Sequence, residues 1–391
     1  MRPHPLAAAL LAALCALPAV AEELPVPIAY LRQQVERPPV LSELDPIPAD
    51  DGLAGARLGR DDNATTGGFL GHDYRLAVVD VPVGGDWEAA ARAALADSRL
   101  LVVDAPADAL LRLADLPEAG DALLLNVSAP EDRLRGPDCR ANVLHALPSL
   151  GMRADALAQF LQARRWTDVA LLAGPFPEDR AWAQALRDAA TKFGLSLTDD
   201  RDWTQTGDLG RTAQGEIPML TQGFAAHDVL LVADEVGDFG RYVPFNTWEP
   251  RPVAGSEGIT PVAWSPVMED WGASQLQGRF EGLADRPMRP KDYAAWTAVR
   301  ALGEAVTRTG SADPASLRAY LLSPEFEMDG FKGRPLSFRD WDGQLRQPIP
   351  VTQPRAMIGM APFEPFLHES NELDTLGTDR PESRCAVFAS Q

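Results

Sequence analysis

The chain has 391 residues, 46% of them hydrophobic, with 36 Lys+Arg against 56 Asp+Glu and a formal charge of −20. That length and apolar content support two or three packed domains and exclude a disordered chain. The acid excess excludes a nucleic-acid partner, which needs a basic footprint, and argues against an anionic membrane surface.

Taken from the start, Arg2 precedes an Ala/Leu run over 6–17, and Ala19-Val20-Ala21 places small residues ahead of Glu22. This is the layout of a secretory signal peptide, expected over 1–21, and its run is too short to span a bilayer. Leu14 before Cys15 argues against a lipid anchor there. No later stretch approaches the roughly 18 to 20 apolar residues of a membrane span, so no membrane insertion is expected. Cleavage removes Cys15 and leaves Cys139 and Cys385, an exported pair that either forms a disulfide or stays as two buried thiols.

Unbroken apolar runs follow at 26–31, 76–81, 100–103, 123–127, 169–173, 229–233 and 259–264. Strands that lack polar alternation are expected where both faces are covered, as in parallel sheets. Helices are predicted between them over 87–96, 107–116, 154–165 and 180–193, the last closed by Gly194. Another is predicted around Tyr293, Trp296, Val299, Leu302 and Val306, and one at Pro314 with Asp313 as its cap. Gly67-Gly68 and Gly71 read as a turn, as does Asp340-Trp341-Asp342-Gly343. The alternation means an α/β fold. Its break across the Pro-bearing stretch 128–149 divides the strands into two series, hence two lobes.

Catalytic signatures are thin. The chain has no G-x-S-x-G, H-E-x-x-H, G-x-x-x-x-G-K or G-x-G-x-x-G. The histidines left after cleavage, His72, His145, His227 and His368, are too scattered for a metal site. No enzyme activity, metal or required cofactor is expected. Aromatic and charged residues instead gather just past strand ends, where open α/β sheets hold ligands. The candidate ligand-binding residues are Ser128, Phe176, Arg180, Asp234, Glu235, Arg241, Trp248 and Trp264. Ser128 and Arg180 are expected to hold carboxylates, Phe176, Trp248 and Trp264 to stack, and Asp234 or Glu235 to meet a polar group. Of the 36 basic residues only Lys192, Lys291 and Lys332 are lysine; arginine is the better fork for a carboxylate.

The stretch from Asn126 to Gly194 resembles type I periplasmic binding proteins of the leucine/isoleucine/valine-binding class. A strand ends in a small polar residue, a crossover carries Leu147-Pro148-Ser149, and helix, strand, loop and helix follow. Gly67-Gly68 and Gly71 look like that class's Gly-Gly-x-x-Gly turn. A narrower resemblance extends over the tracts 147–157, 227–235, 247–255, 292–300 and 341–348, Phe331-Lys332-Gly333, and the tail 373–384 with Cys385. These are similar to the ABC-transporter substrate-binding proteins associated with pyrroloquinoline quinone (PQQ)-dependent alcohol catabolism.

The resemblance implies two parallel-sheet lobes joined by several crossovers. The expected division is 22–145 with 268–335, 146–267 with 336–365, and a tail 366–391. It implies a monomeric periplasmic protein that clamps a small ligand, PQQ or a related aromatic carboxylate, and delivers it to an ABC permease. Departures from the amino-acid-binding pattern, such as Phe176-Pro177 where Tyr-Gly is usual, open the site to something larger. A ligand sensor or scaffold, or an oxidoreductase accessory subunit, is the alternative.

Overall fold

In a computed structural model, residues 23–38, 40, 44–203 and 212–388 are described. The expected leader at 1–21 lies outside the described residues.

The first lobe begins with β1 (Leu24–Gln33), α1 (Leu53–Leu70), β2 (His72–Val81), α2 (Trp87–Asp97), β3 (Leu100–Asp104), α3 (Ala107–Ala114), β4 (Leu123–Asn126) and β5 (Val143–His145). Its strands pair in parallel in the order β2-β1-β3-β4-β5. Alternate residues feed opposite cores. Ile28, Tyr30, Leu100, Val102, Leu123 and Leu125 share one, while Ala29, Leu31, Leu101, Val103 and Leu124 share the other. Both faces are therefore buried, which is why these strands read as continuous apolar runs.

After residues 146–149 cross over, the second lobe holds α4 (Leu150–Arg164), β6 (Asp168–Ala173), α5 (Pro177–Lys192), β7 (Ser196–Asp202), α6 (Ala213–Thr221), β8 (Val229–Ala233), α7 (Val243–Asn246) and β9 (Val253–Gly255). Its parallel order is β7-β6-β8-β9. The run at 259–264, expected as a full strand, is ordered as β10 only over Thr260–Pro261. Pro261 has no N–H to extend a ladder, and the chain turns instead into the second crossing.

The chain returns to the first sheet with α8 (Ala273–Ala284), α9 (Pro290–Thr309) and α10 (Pro314–Leu321), then the hairpin β11 (Ser337–Phe338) and β12 (Leu345–Arg346). Val299, Leu302, Val306, Leu317, Phe338 and Leu345 complete its core. It crosses a third time to β13 (Ile349–Gln353) and β14 (Ala356–Ala361), which form an antiparallel sheet with β10 and add Val351 to the second core.

The helices expected from 87, 107 and Pro314 start there, whereas those expected from 154 and 180 start earlier, because capping precedes the first buried residue. Ser149 Oγ accepts from Met152 N at 3.2 Å and opens α4. Pro177 occupies the first turn of α5. The turn expected from Gly67 begins only at Gly71, whose φ of 76° closes α1. Gly67 stays helical with the Tyr74 ring packed where its Cβ would stand, 2.6 Å away. Asp313 caps α10 through Ser316 N at 2.9 Å, and residues 340–342 form a turn. Cys139 and Cys385 are joined as a disulfide beside Phe388 in the first core.

Asp179, fully buried in the first turn of α5, accepts N–H bonds from Phe176 and from Val236 after β8, each at 3.2 Å. Burial pushes its carboxyl up to about 6, against an ordinary 3.8, further than those bonds pull it down.

Two outcomes are expected. Between pH 7 and about 4 the folded state binds more protons at Asp179 than the unfolded chain does, so its contribution raises stability as pH falls. In urea titrations at pH 7 and pH 5, wild type therefore gains on Asp179→Asn at the lower pH; an unchanged difference refutes the assignment. Replacing both Cys139 and Cys385 by serine lowers unfolding free energy by about 2–4 kcal/mol, and reductant then has no further effect on the melting temperature.

Candidate functional site

The carboxyl ends of β1, β3 and β4 in one lobe and of β6 and β8 in the other face a common cleft. It contains two cavities, of about 530 and 290 Å³, which share Ser128, Pro130 and Lys291 as walls. Both lobes contribute. Glu178, from the first turn of α5, lines the larger cavity beside Asp51, Asp104 and Arg32. Arg153 of α4 and Glu235 after β8 line the smaller one opposite Val127 and Lys291. Volumes of this size suit a small ligand.

Lys291 is the central cation. It stands in the first turn of α9, and its Nζ lies 3.3 Å from Asp104 Oδ1 and 3.6 Å from Asp51 Oδ2. Tyr30 donates its hydroxyl to Asp104 Oδ2 at 2.9 Å; burial and that carboxylate push the phenol well above its ordinary value, so it remains a donor. Burial also raises the Asp51 carboxyl, more than Lys291 lowers it. Arg32 is held by Asp80 through Nε at 3.0 Å and through Nη2, and it donates to the Ala49 carbonyl at 2.6 Å. Arg37 and Glu178 also line the larger cavity, with Glu131 Oε2 buried in its wall and lacking a hydrogen-bond partner.

Of the eight residues named from sequence, Ser128 and Glu235 line the cleft. Ser128 Oγ donates to the Ala105 carbonyl at 3.1 Å and keeps lone pairs free to accept. Glu235 takes a two-pronged bond from Arg153 at 2.7 and 3.2 Å and another from Ser256 Oγ at 2.9 Å. Burial pushes its carboxyl up, but Arg153 and Ser256 outweigh that and hold it below the usual glutamate value.

The other six stand outside the two cavities. Asp234 spends both oxygens on the backbone N–H groups of Gly237, Asp238, Phe239 and Gly240, bracing the loop after β8. Arg180 pairs with Asp202 at 2.6 Å on the edge strand β7, and Arg241 with Asp45 at 2.5 Å. Phe176 precedes α5, and Trp248 is exposed after α7. Trp264 is 1% exposed, stacked on Tyr293 with centroids 4.9 Å apart, its Nε1 bonded to Gln277 Oε1 at 3.0 Å. All of its polar and aromatic capacity serves the packing beside the second crossing. Among the described residues no aromatic ring lines either cavity.

Sequence reasoning missed Lys291, Asp51, Asp104 and Arg153. Asp104 carried a usable signal, a carboxylate closing an apolar strand. Lys291 carried none, because it reaches Asp104 across 187 positions. Among the described residues no group of three His, Cys, Asp or Glu is placed to hold a metal, and no helix is long and apolar enough to cross a membrane.

Neither a protein-family model nor a curated protein matches the chain. Solved structures do. A branched-chain amino acid ABC transporter periplasmic ligand-binding protein from Burkholderia xenovorans LB400 matches at 13% identity and TM-score 0.71, covering 94% of this chain and 100% of its own. A periplasmic binding protein from Burkholderia mallei matches at 15% identity and TM-score 0.65, covering 94% and 99%. A solute-binding protein of an ABC transporter from Rhodopseudomonas palustris BisB5, in complex with 3,4-dihydroxybenzoic acid, matches at 10% identity and TM-score 0.62, covering 84% and 93%. Two parallel-sheet lobes joined by repeated crossings, aligned end to end with these structures, give the chain the type I periplasmic-binding-protein fold.

Proposed function

We propose that this chain is a non-enzymatic, periplasmic solute-binding protein of an ABC transporter, closing its lobes on a small ligand and presenting it to a permease. The observation that carries this reading is one cleft walled by both lobes, with Glu178, Arg153 and Glu235 on one side and Ser128, Asp104 and Lys291 on the other. A ligand touching both walls favours the closed arrangement, which is how hinge closure reports occupancy. The structural relatives supply the same context, being named as periplasmic or ABC-transporter binding proteins.

Within this reading we place the protein beside PQQ-dependent alcohol oxidation, with PQQ or a related aromatic carboxylate as ligand. The sequence tracts support the pathway, and the bound 3,4-dihydroxybenzoic acid of the R. palustris protein supports an aromatic carboxylate in this fold. Arg32, Arg37 and Lys291 are the cations lining the larger cavity. Arg32 is held by Asp80 and Lys291 by Asp104 and Asp51, so a ligand carboxylate at either would compete with those partners. Pro48, Pro106, Pro130, Pro148 and Pro290 offer flat apolar walls, so a planar ligand would lie against proline rings.

Calorimetric titration of the ligand-free protein with PQQ and with 3,4-dihydroxybenzoate tests this. Binding by at least one is expected, weakened about tenfold, or about 1.4 kcal/mol, in Lys291→Met. No heat with either, together with a non-aromatic solute extracted from protein purified from periplasm, refutes the ligand class and leaves the transport reading standing. Recovery of no solute and no response to a wide solute panel refutes both.

A further inference from the structure

Residues 373–378 of the tail are bonded alternately to the two lobes. On the first-lobe side, Arg339 follows β11 and is 1% exposed. It donates Nε to Asp374 Oδ1 at 2.9 Å, Nη2 to the Leu376 carbonyl at 2.7 Å and Nη1 to the Thr378 carbonyl at 3.2 Å. Arg346 Nε reaches the same Asp374 oxygen at 2.7 Å. On the second-lobe side, Lys192 at the end of α5 donates to the carbonyls of Gly377 at 2.9 Å and Thr375 at 3.3 Å. Asp155 of α4 pairs with Lys192 at 2.7 Å and accepts the Gly377 N–H at 2.7 Å. Gly377 has φ +80°, and a Cβ there would come within 2.8 Å of Met152 on α4. The tail thus leaves the second lobe at β14, is bonded to both lobes, and returns covalently to the first through Cys385–Cys139.

We propose that residues 373–378 are a rivet across the joint that restrains the interlobe angle of the ligand-free protein. The two sides differ in strength. Separating Asp374 from Arg339 would leave a buried charge uncompensated, so that side holds. On the other side Lys192 is 38% exposed and can exchange the Thr375 and Gly377 carbonyls for water. Asp155, 5% exposed, gives up only the Gly377 N–H and keeps Lys192 as its partner within the second lobe, so that side releases when the lobes move apart. The restraint bears on the closure described above, but its geometry is independent of which ligand is bound.

The test uses the full chain without ligand, carrying nitroxides at Arg112→Cys on α3 and Gln184→Cys on α5, with the interlobe distance distribution read by double electron–electron resonance. Lys192→Met, and Lys192→Met combined with Asp155→Asn, are expected to fold and to gain a second distance population that wild type lacks. Distributions that superimpose on wild type overturn the proposal. So does the same second population in Arg308→Met, which removes only the surface pair with Glu304, because the change would then be general loosening. This readout needs no ligand, so failure to bind any solute would sink the transport reading without touching the rivet.

Discussion

The cleft depends on how closely α9 lies against α1. The Asp292 carbonyl sits 1.8 Å from where a Cβ on Gly55 would be, so only glycine permits the approach. The Asp292 side chain is fully buried and accepts Gly52 N at 2.8 Å, Arg289 N at 2.9 Å and both terminal nitrogens of Arg286 at 2.7 and 2.9 Å. One carboxylate therefore locks the loop at 50–52 to the start of α9. Asp51 and Lys291, one residue from either partner, are carried into the cleft as a consequence. Burying such a charge is tolerable only because its lone pairs are satisfied.

The same economy governs the cleft's electrostatics. Most of its charges already have partners: Arg32 with Asp80, Lys291 with Asp104 and Asp51, Arg153 with Glu235. Arg153 also lies 4.5 Å from the Trp182 ring centroid, which fixes the guanidinium in place. A net charge of −20 on the whole chain thus says little about the field a ligand meets, which is set by a few oriented pairs in a partly desolvated groove.

Local pattern carried much of the architecture. Runs such as 100–103 and 229–233 were legible as buried parallel strands because both faces of each are covered, and a covered strand has no polar alternation to confuse with a helix. Asp313 before Pro314 announced α10 because capping is chemistry between near neighbours. The site was far less legible. Searching beyond strand ends reached Ser128 and Glu235, but the same search collected Asp234, whose oxygens serve its own loop, and Trp264, whose ring serves the packing of the joint. An aromatic or acidic residue past a strand is equally suited to a ligand and to a neighbour, and only the distances separate the two.

By itself, the sequence determined the α/β class and the division into two strand series, both of which rest on residues within a dozen positions of one another. Tertiary structure alone decided that Lys291 meets Asp104 and that residues 373–378 bridge both lobes. The reason is physical. Hydrophobic periodicity and capping are short-range preferences, whereas pairing a buried charge depends on which distant group the packed chain brings within about 3 Å.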